Sequence, residues 1–204
     1  MKDMGTDRNN QANSRDVILQ QSLQLFTQRG YDGTSIDDIR QAAGFKSKAS
    51  FYTHFKSKEE LAGALLTQIL SEEERLTAQA FQAAEAEPLA QFLAIGRVFI
   101  EWGLTHPQEY AFCFLRTQQE MLIKGQYSAE TQQSNAALAG LIGQMRGTYP
   151  VRAIPDAALT SMIVGVISKA VIDQPSFGAV PLATKVAQIV EMCLGVLFTQ
   201  AVNN

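Results

Sequence analysis

Residues 29–61 read RGYDGTSIDDIRQAAGFKSKASFYTHFKSKEEL, and the fold follows from how this stretch is spaced. Ile36 and Ile39 share one side of a short helix. Thr34 or Ser35 stands at its start, with Asp37 and Asp38 in the first turn, where negative charge suits the helix dipole. Ala43-Gly44 closes it, because glycine takes the backbone conformation that a sharp turn demands. A second short helix is expected from about Ser47 to Phe55. It turns Phe51 and Phe55 inward, together with Phe45 from the turn, and leaves Ser47, Lys48, Ala49, Ser50, Tyr52 and Thr53 outward. Ser57-Lys58-Glu59-Glu60 then has the Ser-x-x-Glu capping pattern that opens a further, long helix. Upstream, Ile18, Ser22, Leu25 and Phe26, widened by Leu19 and Leu23, form the stripe of a helix expected from about Ser14 to Arg29, stopped by Gly30. Two short helices joined by a glycine turn after a longer amphipathic helix predict a helix-turn-helix unit.

The outward residues are short, polar or basic, and so can approach base edges and phosphates. Lys48 suits a guanine edge, and Ala49 or Thr53 a thymine methyl. Tyr52, His54, Lys56 and Lys58 are candidates for the phosphate backbone, as is the positive end of the capped fourth helix. Charge agrees. Residues 1–60 carry nine Lys/Arg and eight Asp/Glu, whereas the rest of the chain carries eight and 12. Between Lys46 and Lys58 there are four lysines, one histidine and no acid. A basic patch on a chain of net charge −3 points to a local anion-binding face, not to a polycation that coats nucleic acid or membranes.

Working outward, almost all apolar spacing is three-to-four, so the chain is expected to be all-α. The expected organisation is a polar tail at 1–13, a helix-turn-helix domain at 14–57 and a helical domain at 58–204. In the last of these, helices are expected from Pro88 to about Thr105, from Pro107 to about Lys124, from about Ser128 to Gly147, from Pro155 to Asp173 and from Pro181 to near Val202. Proline sets the starts and a residue before proline, or a glycine, the stops. The 204 residues are 46% apolar and 18% charged, which excludes a disordered chain. The two cysteines are no disulfide framework. The polar N-terminus is no signal peptide, and no apolar run is long enough to span a bilayer, so a cytoplasmic setting is expected.

The stretch resembles the DNA-binding region of the TetR family of bacterial transcriptional regulators. The resemblance covers residues 15–66 and is carried by Ile18-Leu19, Leu25-Phe26, Gly30-Tyr31, Gly33-Thr34-Ser35, Ile39, Ala42-Ala43-Gly44, Phe51-Tyr52, His54-Phe55, Lys58 and Leu61. It implies DNA contacts from Ser47, Lys48, Tyr52, His54 and Lys58, with Thr34 as a phosphate contact. Lys46, Ala49, Ser50 and Thr53 complete the candidate set. Between Gly44 and Phe51 the chain is one residue longer than the family pattern. The extra residue lies in Phe45-Lys46-Ser47, where it either lengthens the turn or adds to the helix. Ala49 replaces the usual small glycine.

The resemblance also implies that the remainder binds a ligand and dimerises. The sequence supports this on its own. The helices with Leu159, Met162, Ile163, Val166, Ile167 and Val171, and with Val186, Ile189, Val190, Cys193, Leu194, Val196, Leu197 and Phe198, are apolar nearly all round, so each needs cover on two sides. A homodimer through residues 156–173 and 181–202 is expected, with Gly165 and Gly195 allowing close approach. Candidate ligand contacts are Phe99, Trp102, His106, Tyr110, Phe114, Met121 and Met162, a set rich in adaptable apolar bodies with few polar handles.

Two histidines make no metal cluster, and neither a phosphate loop nor a nucleophile elbow is present, so no metal, cofactor or enzymatic activity is expected. Glu72-Glu73-Glu74 reads as a solvated face. The expected function is a repressor that binds a palindromic operator as a dimer and is released by a small, largely apolar effector. The alternatives are an activator, control by a protein partner or by oxidation of a thiol such as Cys113, and, further off, an enzyme or carrier on the same fold.

Overall fold

The computed structural model describes residues 4–200, apart from the side chains of 4–12, 115, 118–120, 124 and 130. Among the described residues it is all-α. The helices are α1 (Met4–Arg29), α2 (Ile36–Ala42), α3 (Lys48–Tyr52), α4 (Lys58–Ala83), α5 (Pro88–Thr105), α6 (Pro107–Lys124), α7 (Ala129–Met145), α8 (Asp156–Ile172) and α9 (Leu182–Leu197), with a short 3-10 turn at Gln174–Phe177. No helix among these residues is long and apolar enough to cross a membrane.

The chain divides into two compact units. The first contains residues up to Ser71 and one turn of α6, Ala111–Cys113. Its core is the inner stripe of α1 (Ile18, Leu19, Leu23, Leu25, Phe26) with Ile39, Phe51, Phe55, Leu61 and Leu65. Ser22 is fully buried in that stripe, and its hydroxyl donates to the Ile18 carbonyl at 2.6 Å, which removes the cost of an unpaired polar group. Phe112 stacks on Phe26 with ring centroids 5.8 Å apart. The expected domain boundary at 57/58 coincides with the start of α4. The compact unit runs on to Ser71, because the first turns of α4 bury Leu61, Ala62, Leu65 and Ile69.

Three helix ends depart from expectation. α1 starts at Met4, not Ser14, so the described part of the expected 1–13 tail continues the helix. No proline or glycine stop lies between Thr6 and Ser14 to end it. Residues 1–3 lie outside the described residues. α3 ends at Tyr52 rather than Phe55. α9 ends at Leu197 rather than near Val202, because Phe198 turns to extended backbone and forms an antiparallel bridge with Val151. Residues 201–204 lie outside the described residues.

The second unit comprises Glu72–Tyr110 and Phe114 onward. In it α8 packs on α7 and α9, and α9 packs on α5. At Gly103 a side chain is excluded: a Cβ there would lie 2.8 Å from Tyr110 Cδ2 and 3.0 Å from Val171 Cγ2. Arg146 clamps the segment leading to α8. Its guanidinium donates to Asp156 Oδ1 at 2.6 and 2.8 Å and to the carbonyls of Arg152 (2.9 Å) and Ile154 (2.5 Å).

The Glu72–Glu74 run is not uniformly solvated. Glu72 and Glu74 are exposed, but Glu73 is half-buried. Burial, reinforced by the neighbouring Glu74 charge, pushes its carboxyl from 4.5 up to about 7. An acid whose folded pKa is raised binds more protons folded than unfolded. Its contribution is therefore full below the ordinary carboxylate range and is lost as pH rises through about 7. Stability measured by denaturant titration should fall between pH 5 and pH 8, and Glu73→Gln should flatten that fall.

Candidate nucleic-acid interface

Ser35 is the N-cap of α2. Its hydroxyl accepts from the Asp38 amide at 3.1 Å, while Asp38 accepts from the Ser35 amide at 2.8 Å, a complete capping box. The Ser35 hydrogen bonds hold the Asp38 carboxyl below its ordinary value. After α2 the chain turns at Gly44 with φ +75°, a left-handed value natural to glycine. Phe45, Lys46 and Ser47 all precede α3, so the extra residue of this stretch sits in the turn and not in the helix.

Arg40 fixes that turn. Its Nε donates to Asp37 Oδ1 at 2.8 Å and its Nη1 to the Phe45 carbonyl at 2.5 Å. The same contact lowers the Asp37 carboxyl, with a smaller contribution from the charge of Lys48. Sequence reasoning missed Arg40. Its only local signal is an acid three residues earlier, which marks a helix pair and not a tie to the turn.

α3 is short but two-faced. Phe51 and Phe55 are buried, with ring centroids 6.1 Å apart. Lys48, Ala49, Tyr52 and Thr53 are exposed, Tyr52 by 50% with its ring edge-on to that of Phe51. Ser47, at the N-cap position without a side-chain cap bond, is also exposed, and its Oγ lies 3.3 Å from Ser50 Oγ. Thr53 returns its hydroxyl to the carbonyls of Ala49 and Ser50, so its methyl is its outward chemistry. Ser50 and His54 are half-buried, the His54 ring 6.4 Å from that of Phe45. Lys46 and Lys56 are exposed on either side of α3.

Two expected contacts have other work in this geometry. Thr34 is 1% exposed, and its hydroxyl donates to the carbonyls of Gly30 (2.8 Å) and Leu25 (3.3 Å), so it is not placed to meet a phosphate. Lys58 is half-buried, with its ammonium donating to the carbonyls of Tyr31 and Thr34 at 2.8 and 3.0 Å. The structure thus gathers Lys46, Ser47, Lys48, Ala49, Tyr52 and Thr53 on one surface and takes Thr34 and Lys58 out of it. Such a surface, a helix with short and basic outward residues on a rigid apolar base, can enter a major groove.

Residues 18–65 match the family described as bacterial regulatory proteins, tetR family. This segment of the chain is similar to TetR-family DNA-binding regions. Among curated relatives, the chain is 35% identical over 75 residues to the HTH-type transcriptional repressor DhaR of Mycobacterium sp. (strain GP1). It is 45% identical over 47 residues to IcaR of Staphylococcus epidermidis, a negative regulator of the biofilm operon icaADBC. These matches cover 37% and 23% of this chain, and the chain spans only 37% of DhaR and 25% of IcaR.

The TetR-family likeness in fold extends further. The ketosteroid regulator KstR2 of Mycobacterium tuberculosis superposes with TM-score 0.77 at 19% identity, covering 91% of this chain and 95% of KstR2. AibR, in complex with isovaleryl coenzyme A and operator DNA, superposes with TM-score 0.69 at 19% identity, covering 88% and 97%.

The expected ligand residues do not form one site. Phe99, Trp102, Tyr110 and His106 cluster, with Phe99–Tyr110, Trp102–His106 and Trp102–Tyr110 centroids 5.7, 5.9 and 6.1 Å apart. Trp102 and Tyr110 are buried, and the Tyr110 hydroxyl is 2.9 Å from Ser168 Oγ, so much of this cluster is packed core. His106 is exposed and Phe114 half-buried. Met121 and Met162 are surface residues, 38% and 58% exposed. The second unit does hold an open cleft of about 1100 Å³, lined by Arg97 and Glu101 of α5, Arg152, and the Leu182, Val186, Val190 and Leu194 side of α9. None of the seven expected residues lines it. Cys193 is buried, and burial pushes its thiol up to about 12; Cys113 is half-buried.

Proposed function

We propose that this chain is a dimeric, effector-responsive DNA-binding regulator that acts as a repressor. The observation that carries the reading is the exposed face of α3, Lys48, Ala49, Tyr52 and Thr53, backed by buried Phe51 and Phe55 within the segment that matches the TetR family. Two such helices, one per subunit, enter successive major grooves of a palindromic operator, with half-sites about 34 Å apart. Lys46, Lys56 and the start of α4 approach the backbone and set register. DhaR and IcaR, named as a repressor and a negative regulator, support the sign of regulation.

The effector binds in the second unit. Its cleft combines the apolar side chains of α9 with Arg97, Arg152, Glu101 and Glu191, which suits a small amphipathic molecule. AibR, a fold neighbour that holds both an acyl coenzyme A and operator DNA, supports a two-ligand scheme. The effector releases DNA only by binding the two states of the dimer with different affinity. On this reading the chain works by binding, in the cytoplasm.

Subunits pair through α8 and α9. Met162, Ile172 and Met192 are 58%, 49% and 43% exposed on these helices, apolar surface that a second subunit would cover. A Cβ at Gly165 would meet nothing within 4 Å in the chain, which leaves room for a second backbone. Met162 is thereby reassigned from ligand to interface. Sedimentation of the purified chain should give a dimer, and Met162→Arg should give a species of 22.4 kDa that has lost operator binding. A wild-type monomer at micromolar concentration would contradict the reading.

A further inference from the structure

Lys58 differs from every other lysine of the basic stretch. Lys46, Lys48 and Lys56 are exposed, whereas Lys58 is half-buried and turned into the protein. It stands at the first position of α4, the positive end of the helix dipole, where a cation is disfavoured unless something holds it. Three groups do. The ammonium donates to the Tyr31 carbonyl at 2.8 Å and the Thr34 carbonyl at 3.0 Å, and lies 4.1 Å from the centroid of the Tyr31 ring. Next to it, the Tyr31 hydroxyl donates to Glu59 Oε2 at 2.8 Å.

The partners of this clamp lie at the ends of the elements that flank α2 and α3. Tyr31 lies just beyond the end of α1 and packs on Phe26 at 5.4 Å. Thr34 immediately precedes Ser35, the N-cap of α2, and its own hydroxyl is fixed to Gly30. Lys58 follows the last residue of α3 by six positions. One ammonium therefore joins the end of α1, the start of α2 and the start of α4 around the reading helix. A lysine whose protons are taken by two carbonyls and a ring is not offering them to a phosphate.

We propose that Lys58, with Tyr31 and Glu59, is a positioning residue that locks the reading helix for sequence-specific binding, and is not a DNA contact. The inference rests on the DNA-binding reading above. Its test compares wild type and Lys58→Met on two duplexes, a genomic fragment selected by the wild-type protein and a random sequence, across a salt series and well below the melting temperature.

Lys58→Met is expected to lower affinity for the selected fragment about tenfold, leave random-duplex affinity unchanged and leave the salt dependence unchanged. A phosphate contact would instead weaken both duplexes alike and reduce the salt slope by about one. A merely structural residue would lower the melting temperature and change neither affinity. Either result overturns the proposal. If Lys58→Met does not fold, Tyr31→Leu removes the ring and the Glu59 bond but keeps the ammonium, and an unaltered ratio of selected to random affinity in that variant overturns it too. Wild-type protein that binds no duplex at any salt would overturn the DNA-binding reading and this proposal together, and is distinguishable because it precedes any substitution.

Discussion

Phe51→Ala should destabilise the first unit by about 3–5 kcal/mol, the range for emptying a well-packed aromatic site. Phe51 is fully buried and touches two further rings, Tyr52 edge-on at 5.5 Å and Phe55 at 6.1 Å. α3 has five residues, too few to be stable as a helix alone, so its order depends on what its inner face buries. Domains are stable by only about 5–15 kcal/mol in total, so the loss is a large share. Chemical denaturation followed by circular dichroism should show it, together with loss of DNA binding. A change below about 1 kcal/mol would mean that α3 is held by something other than this side chain.

The second large effect is on binding. Lys48→Ala with Tyr52→Ala should weaken binding to the selected operator by about 100-fold or more, since a good base contact is worth about 1–3 kcal/mol and tenfold corresponds to about 1.4. Lys48 is exposed, and Tyr52 is 50% exposed with its ring edge-on to Phe51 at 5.5 Å, so folding stability should fall far less than in Phe51→Ala. Unaltered operator affinity in the double variant would sink the assignment of α3 as the reading helix. Sequence preference separates the two residues. Lys48 as a base contact changes sequence preference, while Tyr52 on the backbone affects all sequences.

The elements that were legible in the sequence are those whose ends are written locally. α5 begins at Pro88, and α6 runs from Pro107 to a glycine at φ +69°, each where the prolines and Gly125 put it. The Ser35 cap and the Gly44 turn were readable for the same reason. The end of α9 was not, because Phe198 is drawn out by Val151, 47 residues earlier. The inward ties of Lys58 and Thr34 were not legible because their partners lie 24 to 27 and four to nine residues away, and a lysine shows no sign in sequence of which way it turns. Glu73 sits between two exposed acids, so composition could not reveal its burial. The ligand set gathered aromatic and methionine residues by type. Type does not distinguish packed core, as at Trp102 and Tyr110, from an exposed surface, as at Met162, nor does it find a cleft lined by Arg97 and Arg152.

The measurement that tests the account most directly is selection of genomic fragments by the purified full chain, followed by footprinting of whatever is enriched. The account predicts a short palindrome with two protected half-sites about one helical turn apart, close to a promoter, and an affinity that falls steeply with salt. Enrichment of no sequence at moderate salt, or protection of a single half-site by a monomer, would contradict it.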